Sequence, residues 1–182
     1  MKRLTIPSLL LLAIVTAFAA APRVSRAALE AMEISFDKRV HALNIDPPFE
    51  LLGNTRGVYL EGYGAVFTSM VNLSQSMNLS PFQQTIPKEY VVKLHARKLE
   101  RVPILKKSMQ EAMLAMASSL DGVAAHEQIV LGVTLFYWNN WEDANGLPLQ
   151  IVMQAERQKL LDVQLGRASR SALDSIIHVE QL

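Results

Sequence analysis

The chain has 182 residues, a formal net charge of +1 and no cysteine. The missing cysteines exclude disulfides, a thiol nucleophile, cysteine-ligated zinc and the lipidated cysteine of a lipoprotein. The near-neutral charge argues against the broad basic field that attracts nucleic acid, so we expect no nucleic-acid partner.

Residues 1–27 have the features of a secretory signal peptide. Lys2 and Arg3 precede an apolar run at residues 9–21, and Ser25 and Ala27 place small residues at −3 and −1 of a cleavage site. A membrane-spanning helix needs about 20 apolar residues, so the run is short for an anchor, which is the alternative interpretation. Cleavage after Ala27 predicts a periplasmic or extracellular protein with no transmembrane segment in its mature form.

The mature chain, residues 28–182, has the size of a single domain. Removal of Lys2, Arg3, Arg23 and Arg26 leaves 14 basic against 17 acidic side chains, a net charge of about −3. The weak positive charge of the whole chain therefore belongs to the predicted signal peptide.

The first half of the mature chain predicts one helix and a β-hairpin. Apolar residues recur at helical spacing over residues 28–43, and Pro47 and Pro48 follow. Residues 58–60 and 65–73 are rich in β-branched and aromatic residues and alternate like strands. A polar loop at 74–87 follows, and we expect it to be more mobile than the strands.

The second half predicts a long helix, a second hairpin and a short helix. Apolar spacing indicates a helix over 88–120, with a kink or break at Pro103. Residues 127–138 form a strand that looks buried on both faces, and a partner strand follows the turn at Asn145. A helix over 158–165 and a tail that favours strand over helix complete the chain.

This order predicts an α+β domain. Its mixed, largely antiparallel sheet would contain about five strands, two hairpins plus an edge strand, packed by the long Pro-kinked helix and the N-terminal helix. Gly62 and Gly64 join two strand-like runs, and Phe67 stands where a dinucleotide fingerprint needs its third glycine. These glycines therefore predict a tight turn with at least one positive φ, rather than a phosphate-binding loop.

The motifs of common active sites are missing, so catalytic residues are not predicted. The histidines form no close pair, and the chain has no G-x-S-x-G or S-x-x-K motif. Glu30, Glu33, Asp37 and His41 share one helical face that could hold a cation, but the acidic flank of an amphipathic helix is the favoured explanation. We predict neither a metal site nor a cofactor.

Two groups of residues are candidates for binding. Tyr63, Tyr137, Trp138 and Trp141 lie near strand ends, where aromatic rings can hold a sugar or a protein surface or can cap a core. Lys93, Arg97 and Arg101 are spaced at i, i+4 and i+8 and would form a basic face, or only the charged outer side of a packed helix.

Three functions are compatible with these features. The first is a non-catalytic exported protein that binds a partner or supports an assembly, with a protein or a cell-envelope component as its partner. The second is a periplasmic enzyme, a hydrolase with a dispersed site, because no cofactor motif is present. The third is a membrane-surface accessory protein that uses the basic helix.

Overall fold

A computed structural model describes residues 23–75, 86–138 and 141–182 of the chain. The helices are α1 (Arg26–His41), α2 (Lys88–Ser119), α3 (Arg157–Gln164) and α4 (Leu173–Ile176), and a 3-10 turn at Arg170–Ala172 precedes α4. The strands are β1 (Glu50–Leu51), β2 (Arg56–Leu60), β3 (Gly64–Asn72), β4 (Gln128–Leu135), β5 (Gln150–Glu156) and β6 (His178–Gln181).

The six strands form one mixed sheet. β1 and β2 both pair with β3 in antiparallel fashion, at its two ends, and β3 pairs with β4 in parallel. β4, β5 and β6 continue as antiparallel neighbours, so β4 lies in the middle of the order β2-β3-β4-β5-β6. The prediction of an α+β fold with a mixed, largely antiparallel sheet is confirmed.

The long helix connects the two parallel strands, because parallel neighbours need a crossover that a hairpin turn cannot supply. α2 begins after Pro87 and continues as one element through Pro103, so the proline does not break it. The predicted start and end of this helix agree with the structure to within a residue.

The core lies between the helices and one face of the sheet. Every second side chain of β3 and β4 is buried against the helices. These side chains include Ala65, Phe67 and Val71 of β3 and Ile129, Leu131 and Val133 of β4. Buried apolar side chains of three helices, among them Phe36 of α1, Met109 of α2 and Leu160 of α3, belong to the same cluster. The domain is therefore a two-layer structure among the described residues, with its helices on one side of the sheet.

The turn between β2 and β3 has the backbone that its glycines predict. Gly62 has φ 79° and Gly64 has φ 137°, both in the region that favours glycine. Gly64 begins β3 directly beside Gln128, and a Cβ on Gly64 would collide with the backbone of Gln128. The prediction that these glycines serve the backbone is confirmed in their geometry.

Several details differ from the predictions or lie outside the described residues. The two-residue strand β1 was not predicted, and β4 ends at Leu135 rather than 138. The tail forms strand β6, as favoured. Most of the predicted mobile loop, residues 76–85, lies outside the described part of the chain, so its mobility stays a prediction. No helix within the described ranges is long and apolar enough to cross a membrane.

Candidate functional site

The face of the sheet turned away from the helices has no covering helix among the described residues. We call this surface the open face. Its positions are the residues that alternate with the core positions of each strand. They are Arg56, Val58 and Leu60 of β2, Val66, Thr68 and Met70 of β3, Gln128, Val130, Gly132 and Thr134 of β4, Gln150, Val152, Gln154 and Glu156 of β5, and His178 and Glu180 of β6.

The open face is apolar toward β2, β3 and the middle of β4. Val58, Leu60 and Met70 are 49%, 48% and 41% exposed, whereas a strand in a soluble two-layer domain commonly carries polar residues on its solvent side. Val66 is half-buried and Val130 is buried between its neighbours. Single exposed apolar residues such as Met70 are common, but Val58, Leu60 and Val66 are neighbours on one face, and such a group marks a contact surface.

Charges lie at the two edges of the same face. One hydrogen-bonded row runs from Arg56 through Thr68, Gly132 and Val152 to Glu180. Arg56 and Glu180 are both exposed, and they stand at opposite ends of the row. The middle of the row is shallow because Gly132 has no side chain there.

The four aromatic residues predicted as a binding group differ in their exposure to solvent. Trp138 is exposed and meets Phe136 edge to face, with ring centroids 5.2 Å apart. Tyr137 is buried, its hydroxyl donates to the Pro148 carbonyl at 2.9 Å, and burial raises its pKa. Trp141 lies half-buried beside Tyr90, and Tyr63 is exposed at the turn before β3. Only Trp138 and Tyr63 therefore offer an aromatic surface.

The three residues of the predicted basic face also differ in their exposure to solvent. Lys93 is exposed and Arg97 is half-buried, but Arg101 is buried. The guanidinium of Arg101 donates to the carbonyls of Leu73 and Asp46 at 2.7 and 2.8 Å. Arg101 therefore holds two loops against α2 and does not present its charge to a partner.

A buried ion pair that was not predicted from the sequence lies one turn from Arg101 on α2. Lys98 donates to the Glu142 carboxylate and to the Phe136 carbonyl, and its ammonium lies 4.8 Å from the Tyr137 ring centre. Both charged side chains are almost completely buried, and desolvation lowers the pKa of Lys98 despite the nearby carboxylate. The pair joins α2 to the segment that follows β4.

A signal for this burial is present in the sequence. Leu94, Lys98, Arg101 and Leu105 are spaced by 4, 3 and 4 residues, so the two basic residues continue the apolar stripe of α2 toward its N-terminus. Residues with long aliphatic stems can occupy such positions when carbonyl or carboxylate oxygens receive their charged groups.

A second buried carboxylate organises the turn at the opposite end of β4. Glu127 accepts hydrogen bonds from the Ala124 and Gly62 amides and from the Tyr59 hydroxyl, at 2.7 to 3.2 Å. Burial by itself would raise the pKa of Glu127, but these hydrogen bonds hold that pKa below its usual value. This carboxylate therefore acts as a structural acceptor.

The acidic flank of α1 is used in the same way. Glu33 is buried and accepts from Arg26 and from the Gly57 amide, and Asp37 accepts from Thr55. His41 is exposed at the end of the helix. Within the described ranges, no three histidine, aspartate or glutamate side chains are grouped to hold a metal ion.

A groove of about 520 Å³ runs beside the middle of α2. Leu99, Pro103 and Lys107 of α2 line one side, and Asp174 and Gln181 line the other. The Asp174 carboxylate accepts a hydrogen bond from Gln110 at 3.0 Å. The lining residues contain no serine or histidine, so the groove lacks a serine–histidine pair.

Comparison of the chain with protein-family models, with curated proteins and with solved structures found no match.

Proposed function

We propose that this protein is an exported, non-catalytic binding or assembly protein and that its open face is the binding surface. The observation that carries the proposal is the apolar group formed by exposed Val58 and Leu60 of β2 and half-buried Val66 of β3 on one face of the sheet. Val58 and Leu60 are two residues apart and Val66 lies opposite Val58, so a partner would cover them together, whereas Met70 lies four residues further along β3. The signal-like residues 1–27 support export.

The buried charges support a non-catalytic role over the dispersed hydrolase site. Glu33, Glu127 and Lys98 are each bonded to backbone or side-chain groups that belong to the fold. A general acid or base must reach a substrate, whereas these groups are enclosed and face the packed layer or its loops. Their burial is fully explained by the contacts that they make.

In-cell photo-crosslinking tests the proposal. A photo-crosslinking residue is placed at Thr68, an exposed position of the open face, and as a control at Gln164, an exposed position of α3 on the other side of the sheet. We expect a discrete adduct from position 68 and none from 164, and Leu60→Lys in the same chain should abolish the adduct. Equal labelling from both positions, or none from 68, would contradict the proposal.

A specific feature of α2 favours the membrane-surface function as a second candidate. Val92, Leu99 and Pro103 lie on the outer side of the helix, and Val92 is 67% exposed. Lys93 and Lys107 are exposed near this apolar stripe, an arrangement that suits an anionic lipid surface. Glu89 and Glu100 are also exposed on α2 and weaken the attraction.

Vesicle sedimentation separates this second candidate from the first. Purified protein is mixed with vesicles of zwitterionic lipid alone or with added anionic lipid. Binding that needs the anionic lipid and is lost in Val92→Glu would support the membrane-surface function. No sedimentation with either vesicle would exclude it and leave the open face as the candidate surface.

A further inference from the structure

We infer that the open face binds a second copy of this chain, with the two sheets stacked face to face about a two-fold axis parallel to β4. This inference rests on the proposed function and names the partner of the same surface. The charges on the face point to this partner, because Arg56 lies at one edge and Glu180, which bonds to the exposed His178 at 3.1 Å, lies at the other.

The order of the strands makes the face suitable for such symmetry. β4 is the central strand, with β2 and β3 on one side and β5 and β6 on the other. A two-fold axis parallel to β4 therefore places the β2 edge of one copy over the β6 edge of the other. Each contact then occurs twice, as a two-fold interface requires.

The charged row gains two ion pairs in this arrangement. Arg56, Gly132 and Glu180 lie in one row, with Gly132 on the central strand. The axis places Arg56 opposite Glu180 of the partner subunit, and the symmetry repeats the pair. Stacked sheets lie about 10 Å apart and rotate by about 30°, which displaces strands at the edge by about 5 Å. The long side chains of arginine and glutamate can span that offset.

One alternative face-to-face dimer is disfavoured by the same charges. An axis perpendicular to the strands through this row would place Arg56 opposite Arg56 of the partner subunit and would likewise oppose the two Glu180 side chains. Like charges that face each other destabilise an interface. The orientation parallel to β4 also leaves Val66, Val130 and Val152 around the two-fold axis, and it covers Val58 of the β2 edge with the β6 edge of the partner subunit.

Charge reversal tests the pairing. Analytical ultracentrifugation of the purified protein should show a monomer–dimer equilibrium, and Arg56→Glu or Glu180→Arg should each raise the dimer dissociation constant about tenfold or more, because two pairs become repulsive at once. The double variant Arg56→Glu/Glu180→Arg should return to within about threefold of the unchanged chain, since the pairs re-form with reversed signs. Lys93→Glu, at an exposed position on α2, is the control and should not alter the equilibrium.

The absence of cysteine allows a test of orientation. Arg56→Cys and Glu180→Cys proteins are treated with a short bis-maleimide, separately and after mixing. The mixture should form covalent dimers, whereas each protein by itself should not, because like edges lie on opposite sides of the dimer. Efficient self-linking of Arg56→Cys would overturn the proposed axis.

The in-cell experiment distinguishes failure of this inference from failure of the proposed function. An adduct from position 68 with twice the mass of the chain supports the inference. An adduct with a different protein, together with a purified chain that is monomeric at all concentrations, overturns the inference and leaves the open face as a binding surface. No adduct from position 68 overturns both.

Discussion

At the residue scale, the fold depends on a few positions where the backbone conformation or a buried charge allows few residue types. Gly62 and Gly64 both have positive φ, but their surroundings differ: a side chain at Gly62 would meet open space, whereas one at Gly64 would meet the Gln128 backbone. The turn sequence predicted the positive φ. It could not predict this difference, because the contact with Gln128 comes from a strand 64 residues away along the chain.

Gly62→Val and Gly64→Val should therefore destabilise the domain to different degrees. We expect a loss of about 1–2 kcal/mol for Gly62→Val from backbone strain, and more than about 3 kcal/mol for Gly64→Val, where a steric collision is added. Gly62→Asn is the matched control, because asparagine tolerates positive φ. Urea unfolding measures all three, and an unchanged midpoint for Gly64→Val would contradict the structure of this turn.

We expect Glu127 to make the free energy of unfolding fall at acid pH. Its folded-state pKa is lowered, so its contribution to the free energy of unfolding is present above the ordinary carboxyl pKa of about 4.3 and is lost as pH falls through the lower folded-state value. The unchanged chain should therefore lose more stability between about pH 5 and pH 3 than Glu127→Gln, which does not titrate. Glu30→Gln, at an exposed position of α1, should follow the unchanged chain. Parallel curves for all three proteins would refute the assigned role.

At the scale of elements, the sequence patterns located the long helices and strands better than the contacts between them. Apolar spacing predicted α1, α2 and the central strand β4, because each buries a continuous stripe or run. It missed β1, since two residues carry no periodicity. It also placed Arg101 on an outer basic face. A charged residue is predicted to be exposed unless the carbonyl groups that can receive it in the interior are known. The open face depends on which side of the sheet the helices cover, and a single strand does not reveal that.

The Lys98–Glu142 pair is predicted to hold α2 against the segment after β4. Lys98→Met removes the cation but keeps the shape, and the Glu142 carboxylate loses its buried ion pair, so we expect a loss of about 3–5 kcal/mol. The double variant Lys98→Met/Glu142→Gln should be less destabilised than the sum of the single variants. Lys107→Met, at an exposed position of the same helix, serves as the control. Additive losses in urea unfolding would show that the two charges are not coupled.

At the scale of the whole molecule, the structure bears on where processing would leave an intact domain. Val24 is buried in the core, Ser25 caps α1 and Arg26 bonds to buried Glu33. The Arg23 carbonyl lies so close to Gly122 that a Cβ there would collide with it. Cleavage after Ala27 stays the prediction from the sequence and would delete these contacts, so we propose cleavage ahead of residue 23 as an alternative.

The alanine-rich segment before Arg23 offers such a site. Ala17 and Ala19 supply small residues at −3 and −1, which predicts a mature chain that begins at Ala20. Mass spectrometry of exported protein should find this N-terminus, with residues 23–27 retained. An exported chain that begins at Ala28 and unfolds at the same temperature as one that begins at Ala20 would contradict this proposal.

If a partner covers the open face in the cell, cysteine footprinting will detect the protection. Thr68→Cys and Gln164→Cys each introduce a single thiol into a chain that has none. The rate of alkylation by N-ethylmaleimide is measured in intact exporting cells and in dilute purified protein. We expect the cysteine at position 68 to react about tenfold more slowly in cells, while the cysteine at position 164 reacts at the same rate in both. Equal rates at position 68 in cells and in dilute solution would contradict the proposal that a partner covers the open face.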